Sequence, residues 1–307
     1  MASVAHQRHS APPSTRVYLR VAATVCAALL LLTAWLWRPF VSAAPMTWYH
    51  ANELILVGLG LLTIAAYVHA AISFSPWDAA VSAVLVFCIT WGAEAASLRW
   101  GGIVGFGYAY HPALQPCLPG GVPVFVVLAW CVLARVPLVL LRSMPLTDDD
   151  GRLCVRRVLV KTFCCAAALA AWDLLLDPLA VSAGLWTWHP GGTYYGIPAP
   201  SILFWFLVGC AVYLPYFVLH RLWAESIPER RLASGALCAV ALLLSAPPLA
   251  LAVRTRVGGL MPWILWMGCM APWWGYWLRG VLARVTLPAA APVAGTASPA
   301  RSMPFRQ

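Results

Sequence analysis

Apolar positions fill this chain in long unbroken runs, and polar residues gather in short stretches between them. An α-helix rising about 1.5 Å per residue needs about twenty such residues to cross roughly 30 Å of hydrocarbon. The runs predict helices near 17–37, 52–73, 78–98, 122–142, 157–178, 201–221, 233–253 and 260–284. The predicted fold is an all-α polytopic transmembrane bundle of seven or eight spans, eight being favoured, with residues 16–286 forming one membrane domain. No small-residue cleavage site follows the first run, which therefore reads as a retained helix and not a signal peptide.

Composition agrees: 62% of residues are hydrophobic, 10% are charged, and there are 17 Trp. A net charge of +10 would point to nucleic acid in a soluble protein, but here the basic residues stand at the ends of apolar runs, so no nucleic-acid partner is expected. With eight spans, fifteen Lys and Arg fall on the side of the two termini and four on the other. That asymmetry predicts a multi-pass protein of the cell inner membrane with both termini cytoplasmic. Residues 1–15 and 287–307, rich in Pro, Ala, Ser and Thr, are expected to be disordered cytoplasmic tails. The polar stretches 145–152 and 224–230 read as linkers. Eight of the ten Cys lie inside apolar runs and no C-x-x-C occurs, so they are expected to pack rather than to bind metal or cycle redox states.

Polar residues inside the runs change the picture. Arg135 sits within the fourth run, where a guanidinium is costly unless it faces protein, and it is expected to have an acidic partner. Glu94, on the preceding run, is a candidate for that pairing or for chemistry. Glu53, early in the second run, reads as an interfacial anchor or a further functional acid. Asp173 and Asp177 are spaced i and i+4, hence on one helix face, and like charges so close oppose simultaneous ionisation. Asp177 precedes Pro178, a common stop signal for a helix.

The two middle loops on the less basic side share a pattern. Tyr108-Ala-Tyr110-His111-Pro112 is followed by Gly121-Val122-Pro123; Trp186-Thr-Trp188-His189-Pro190 is followed by Gly196-Ile197-Pro198. Upstream, Glu94 lies 14 residues before Tyr108 and Asp173 lies 13 before Trp186. Turn chemistry accounts for Gly-x-Pro ahead of a helix, but not for the paired aromatics or the matched acids. An internal duplication of helix pairs 3–4 and 5–6 is expected.

Tyr108, Tyr110, Trp186, Trp188 and Tyr194 fit the aromatic belt of a membrane interface. Their density beside carboxylates also fits a wall that stabilises a developing cation where water is excluded. They and Arg135 are the candidate substrate-binding residues, and Asp173, Asp177 and Glu94 the candidate catalytic ones. His111 and His189 occupy equivalent positions, yet no helix carries metal-ligand spacing, so no metal is expected.

On these residues the chain resembles the polytopic carotenoid-biosynthesis membrane proteins that include γ-carotene 1',2'-hydratase and bisanhydrobacterioruberin hydratase, over roughly residues 50–285. One family motif stands here as Asp173-Leu174, Asp177-Pro178, Trp186-Thr-Trp188 and Tyr194-Tyr195-Gly196-Ile197-Pro198. The other is kept in Glu94, Gly102, Tyr108, Tyr110 and Gly121-Val122-Pro123. The chain departs from the family pattern at Gly101, at Gly105-Phe106 and at Ser201.

The resemblance implies hydration of a terminal double bond of an acyclic carotenoid end group. Asp173 would be the acid, Asp177 or Glu94 would position water, and the substrate would be a lipophilic carotenoid drawn from the bilayer among membrane lipids. No cofactor is implied. Cyclisation or isomerisation of the end group, membrane transport, and a non-catalytic scaffold for other carotenoid-pathway enzymes are the alternatives.

Overall fold

The apolar runs fold as helices wherever the structure, a computed structural model, describes them: residues 48–100, 107–141, 144–220 and 261–286, with Thr24 and Leu31 besides. The runs predicted at 17–37 and 233–253 and the predicted tails at 1–15 and 287–307 otherwise lie outside the described residues. Helices α1 (Trp48–Ser73) and α2 (Pro76–Trp100) are followed by α3 (Val124–Leu133) and α4 (Arg135–Leu140), then by α5 (Val155–Ala170), α6 (Asp173–Ser182), α7 (Ala199–His220) and α8 (Met261–Thr286). Among the described residues, Pro76–Trp100, Val155–Ser182 and Ala199–His220 are long and apolar enough to cross a membrane. Ile55–Ala71 and Val124–Leu140 are shorter apolar helices.

Helix starts follow local chemistry. Pro76 opens α2, where a missing N–H costs nothing, and the Ser75 hydroxyl accepts the Asp78 N–H at 3.0 Å as its cap. Prolines inside helices are handled differently. The predicted span 157–178 does not stop at Asp177-Pro178, because α6 runs through Pro178 to Ser182. Proline lacks the N–H that would bond four residues back, which frees the Leu174 carbonyl. The Tyr194 hydroxyl donates to that carbonyl at 2.5 Å, so the helix continues without an orphaned acceptor. The predicted span 122–142 is interrupted at Ala134, between α3 and α4. There the Tyr213 hydroxyl donates to the Ala134 carbonyl at 2.9 Å.

Short strands add to the expected all-α architecture. Strands β1 (Gly107–Tyr110) and β4 (Trp186–His189) form an antiparallel ribbon; β2 (Cys117–Leu118) and β3 (Val122–Pro123) form a second. The turn of the second ribbon presses on α2. A Cβ at Gly120, whose φ is +89°, would meet the Cβ of Ala95 at 2.8 Å, which requires glycine there twice over.

Helix α1 lies on α2 and α3, α2 also meets α3 and α7, α5 meets α4 and α7, and α8 covers α4, α5 and α6. Gly209 of α7 comes so close to α5 that a Cβ would stand 3.0 Å from Ala166, the small-residue contact by which membrane helices approach.

Arg135 finds its acid in Asp78, not in Glu94. The two side chains are fully buried and pair at 3.0 Å. Ser82 accepts from Arg135 at 2.9 Å, Tyr216 donates to Asp78, and His220 approaches Asp78 at 3.5 Å. The guanidinium also lies 5.1 Å from the Phe74 ring centre and 5.9 Å from that of Tyr67. Asp78 and Glu94 are sixteen residues apart on α2, about 24 Å at about 1.5 Å per residue, so the bundle has a polar cluster towards each end of this helix.

Candidate active site

The second cluster gathers the three candidate acids. Glu94 comes from the last third of α2, and Asp173 and Asp177 from one face of α6; they are 2%, 7% and 5% exposed. All three lie within electrostatic reach of one another. Their hydrogen bonding differs. Glu94 accepts on Oε2 from the hydroxyls of Tyr108 and Tyr110, the latter at 2.8 Å, and on Oε1 from the Trp130 indole at 3.0 Å. Trp186 stands within hydrogen-bonding reach of Asp177. Among the described residues, the Oδ2 atoms of both Asp173 and Asp177 are buried and meet no hydrogen-bond partner, and the same is true of the Trp188 indole nitrogen.

Over these carboxyl groups lies the β1–β4 ribbon. Its register pairs Gly107 with His189, Tyr108 with Trp188, Ala109 with Thr187 and Tyr110 with Trp186. His111 N–H donates to the Leu185 carbonyl at 2.9 Å, which extends the ladder by one step. In the two sequence motifs Tyr108 matches Trp186 and Tyr110 matches Trp188. Each residue therefore pairs with its neighbour's counterpart, and the ladder is centred on Ala109 and Thr187 as a local two-fold requires. The helices that follow repeat the relation. Trp130 and Trp205 each stand seven residues after the proline of Gly-x-Pro, and their rings pack 4.9 Å apart.

Alternation along a strand separates the two faces of the ribbon. Tyr108, Tyr110, Trp186 and Trp188 are half-buried on the carboxyl side, whereas Ala109, Thr187 and His189 are exposed on the other. The rings form a continuous wall: Tyr108 lies 4.8 Å from Trp188, Tyr110 packs edge-on at 5.9 Å from Trp186, and the two tyrosines meet edge-on at 5.4 Å. Burial, then the Glu94 carboxyl, holds both tyrosine phenols well above their ordinary range, so each remains a hydrogen-bond donor.

Tyr194 is close to Asp177, but its hydroxyl is committed to the Leu174 carbonyl and so holds the helical turn that carries both aspartates. Its own loop is tightly folded: Gly192 pairs with Gly196, and a Cβ on Gly192 would fall 2.0 Å from the Ile197 carbonyl oxygen. His189 lies on the exposed side of the ribbon, near Thr187 at 3.4 Å. Glu53 is exposed on α1. Arg135 is remote from the aromatic wall, locked to Asp78. Among the described residues no three His, Cys, Asp or Glu side chains are placed to hold a metal ion together.

Sequence reasoning missed Trp130 as a partner of Glu94 and Asp78 as the partner of Arg135. The equal spacing of Trp130 and Trp205 behind their prolines was a signal for the first. Asp78 stands in the first turn of α2, where an acid is ordinary helix chemistry, and its contact with Arg135 spans 57 residues.

Chemically, the arrangement offers carboxyl groups able to give or take a proton, free carboxyl oxygens able to hold a water, and ring faces able to stabilise positive charge. No curated protein and no solved structure matches the chain. The model of one protein family, described as carotenoid biosynthesis protein, matches residues 50–271. With most of its length matched, its acid pair and its aromatic ribbon included, the chain belongs to that carotenoid biosynthesis family.

Proposed function

We propose that this protein hydrates the terminal carbon–carbon double bond of an acyclic carotenoid end group. The observation that carries the reading is the convergence of Asp173 and Asp177, each with a buried oxygen that meets no partner among the described residues, beneath a four-ring aromatic wall. Family membership supports a carotenoid as the substrate class.

In this mechanism Asp173, in its acid form, gives its proton to the less substituted alkene carbon. The π pair becomes the new C–H bond and leaves a tertiary cation. The faces of Tyr108, Tyr110, Trp186 and Trp188 stabilise that cation. A water held by the free oxygen of Asp177 forms the C–O bond, and the Asp177 carboxylate takes the proton it releases. Proton return to Asp173, four residues away on the same helix face, restores the site. One water is added and no cofactor is consumed.

Eight spans with cytoplasmic termini in the inner membrane would put the ribbon at the non-cytoplasmic surface. The substrate would then enter sideways from lipid, past exposed apolar side chains such as Val84, Phe163 and Leu207. The same cation would isomerise by losing a different proton or cyclise by meeting a second double bond. One observation favours transport: the helix break at Ala134 beside buried Arg135, since carriers place ions at broken helices. There, however, the charge is already met by Asp78.

The test is expression in a host that makes acyclic carotenoids. Extracted pigments should gain the mass of one water per modified end group, and Asp173→Asn, inserted at wild-type level, should abolish the gain. An unchanged pigment profile with verified insertion would overturn the reading.

A further inference from the structure

The two motif copies meet about a local two-fold, yet their acids are not equivalent. In the second copy, Asp173 and Asp177 each keep an oxygen that meets no partner among the described residues. In the first, both oxygens of Glu94 are engaged by three donors drawn from two elements, Tyr108 and Tyr110 of β1 and Trp130 of α3. With three of its roughly four lone-pair sites taken by donors, Glu94 is held as an acceptor and is worse placed than either aspartate to hand a proton to a substrate. It does have a firm grip on β1, because both tyrosines point their hydroxyls at it from the same face of the strand.

We infer that Glu94 is a positioning residue: it holds the aromatic ribbon at a fixed height and angle over the aspartate pair, and so governs whether the cation is captured by water or returns to alkene. The inference rests on the hydration reading for its chemistry, though not for its geometry. Two physical effects follow from the grip. The ring pairs Tyr108–Trp188 and Tyr110–Trp186 stay in register over the cation, and both tyrosine oxygens, themselves nucleophiles, stay turned towards Glu94. Loosening the grip displaces the wall and the water together. A misplacement of about 1 Å can cost on the order of a hundredfold in rate. Protonation of the alkene needs Asp173 alone and is affected less.

The fate of the cation can be read in deuterated water. Asp173 then delivers a deuteron to the alkene carbon. Capture by water gives deuterated alcohol. Loss of a proton from an adjacent methyl group to the aspartate pair gives back an alkene that carries deuterium. The ratio of labelled alkene to alcohol reports how well water capture competes, independently of how much protein is present.

The experiment compares membranes containing wild type, Glu94→Gln, Tyr110→Phe and Asp173→Asn, supplied with an acyclic carotenoid in deuterated water. Tyr110→Phe removes one of the donors to Glu94 and leaves the carboxyl group intact. Glu94→Gln and Tyr110→Phe should both form less alcohol while the ratio of labelled alkene to alcohol rises at least about tenfold for Glu94→Gln. Asp173→Asn should lose alcohol and label alike. The inference is overturned if Glu94→Gln loses label as completely as Asp173→Asn, which would make Glu94 the acid. It is equally overturned if either Glu94→Gln or Tyr110→Phe is slowed with its ratio unchanged, which would make the contact merely structural.

A second readout does not depend on turnover. Cysteines placed at Ala109 and Thr187, paired at the centre of the ladder, should cross-link readily on oxidation, and more slowly once Glu94→Gln is added. Peptide mapping identifies the bond among the native cysteines. Equal cross-linking in both backgrounds would overturn the inference, whereas absence of both alcohol and label in wild type would overturn the hydration reading alone.

Discussion

Replacing Arg135 by leucine should destabilise the bundle more than any exposed change could. The substitution removes the 3.0 Å ion pair with Asp78 and the 2.9 Å bond to Ser82, and it leaves the Asp78 carboxylate in a fully buried site with, among the described residues, Tyr216 and His220 beside it. Removing one partner of a buried pair typically costs about 3–5 kcal/mol, most of it the penalty of the stranded charge. At roughly 2–4 °C per kcal/mol, the scaling for domains of about 150–250 residues, the melting temperature should fall by about 6–20 °C. The loss of contact with the Phe74 and Tyr67 rings acts in the same direction. Thermal unfolding of the purified protein in detergent, followed by circular dichroism, measures the shift. The double variant Asp78→Leu with Arg135→Leu removes both charges, and it should recover more than half of the loss because an apolar replacement of a buried ion pair is often near neutral. An unchanged melting temperature in the single variant, or a double variant no better than the single, would refute the reasoning.

Two further substitutions test how the site is held. Tyr194→Phe strips the donor from the Leu174 carbonyl that Pro178 leaves free, which should cost about 1–2 kcal/mol in thermal unfolding and slow the reaction without abolishing it. Wild-type stability would show that the carbonyl is satisfied otherwise. Gly192→Ala drives a methyl into the Ile197 carbonyl, 2.0 Å away, so the loop must move; proteolysis between β4 and α7 should accelerate while the helix content stays constant. An unchanged cleavage rate would count against the tight turn.

Much of the helical architecture was legible because hydrophobic length is a strong signal. The long runs gave α1, α2, α7 and α8 to within a few residues. The interruptions at Ala134 and at Ala171-Trp172 were not legible, since a single charged residue follows each, Arg135 and Asp173, and the sequence on either side stays apolar. Asp177-Pro178 was ambiguous for a physical reason: whether proline ends a helix depends on what satisfies the freed carbonyl, and here that is a tyrosine twenty residues away. The repeated aromatic motifs did forecast two related loops. That they would pair with each other as strands was beyond the sequence, because four-residue segments carry little periodicity and their partners lie 76–82 residues apart in the chain. The electrostatic partners were least legible. Arg135 demanded an acid, but only the packing of α2 against α3 and α7, with α4 continuing from α3, distinguishes Asp78 from Glu94.

Heavy-oxygen water tests the central claim most directly. Membranes holding the protein, supplied with an acyclic carotenoid in such water, should yield a tertiary alcohol whose oxygen carries the label, and Asp173→Asn membranes should yield none. Alcohol whose oxygen comes from dioxygen instead, or labelled alcohol formed equally by Asp173→Asn, would contradict acid-catalysed hydration at the aspartate pair.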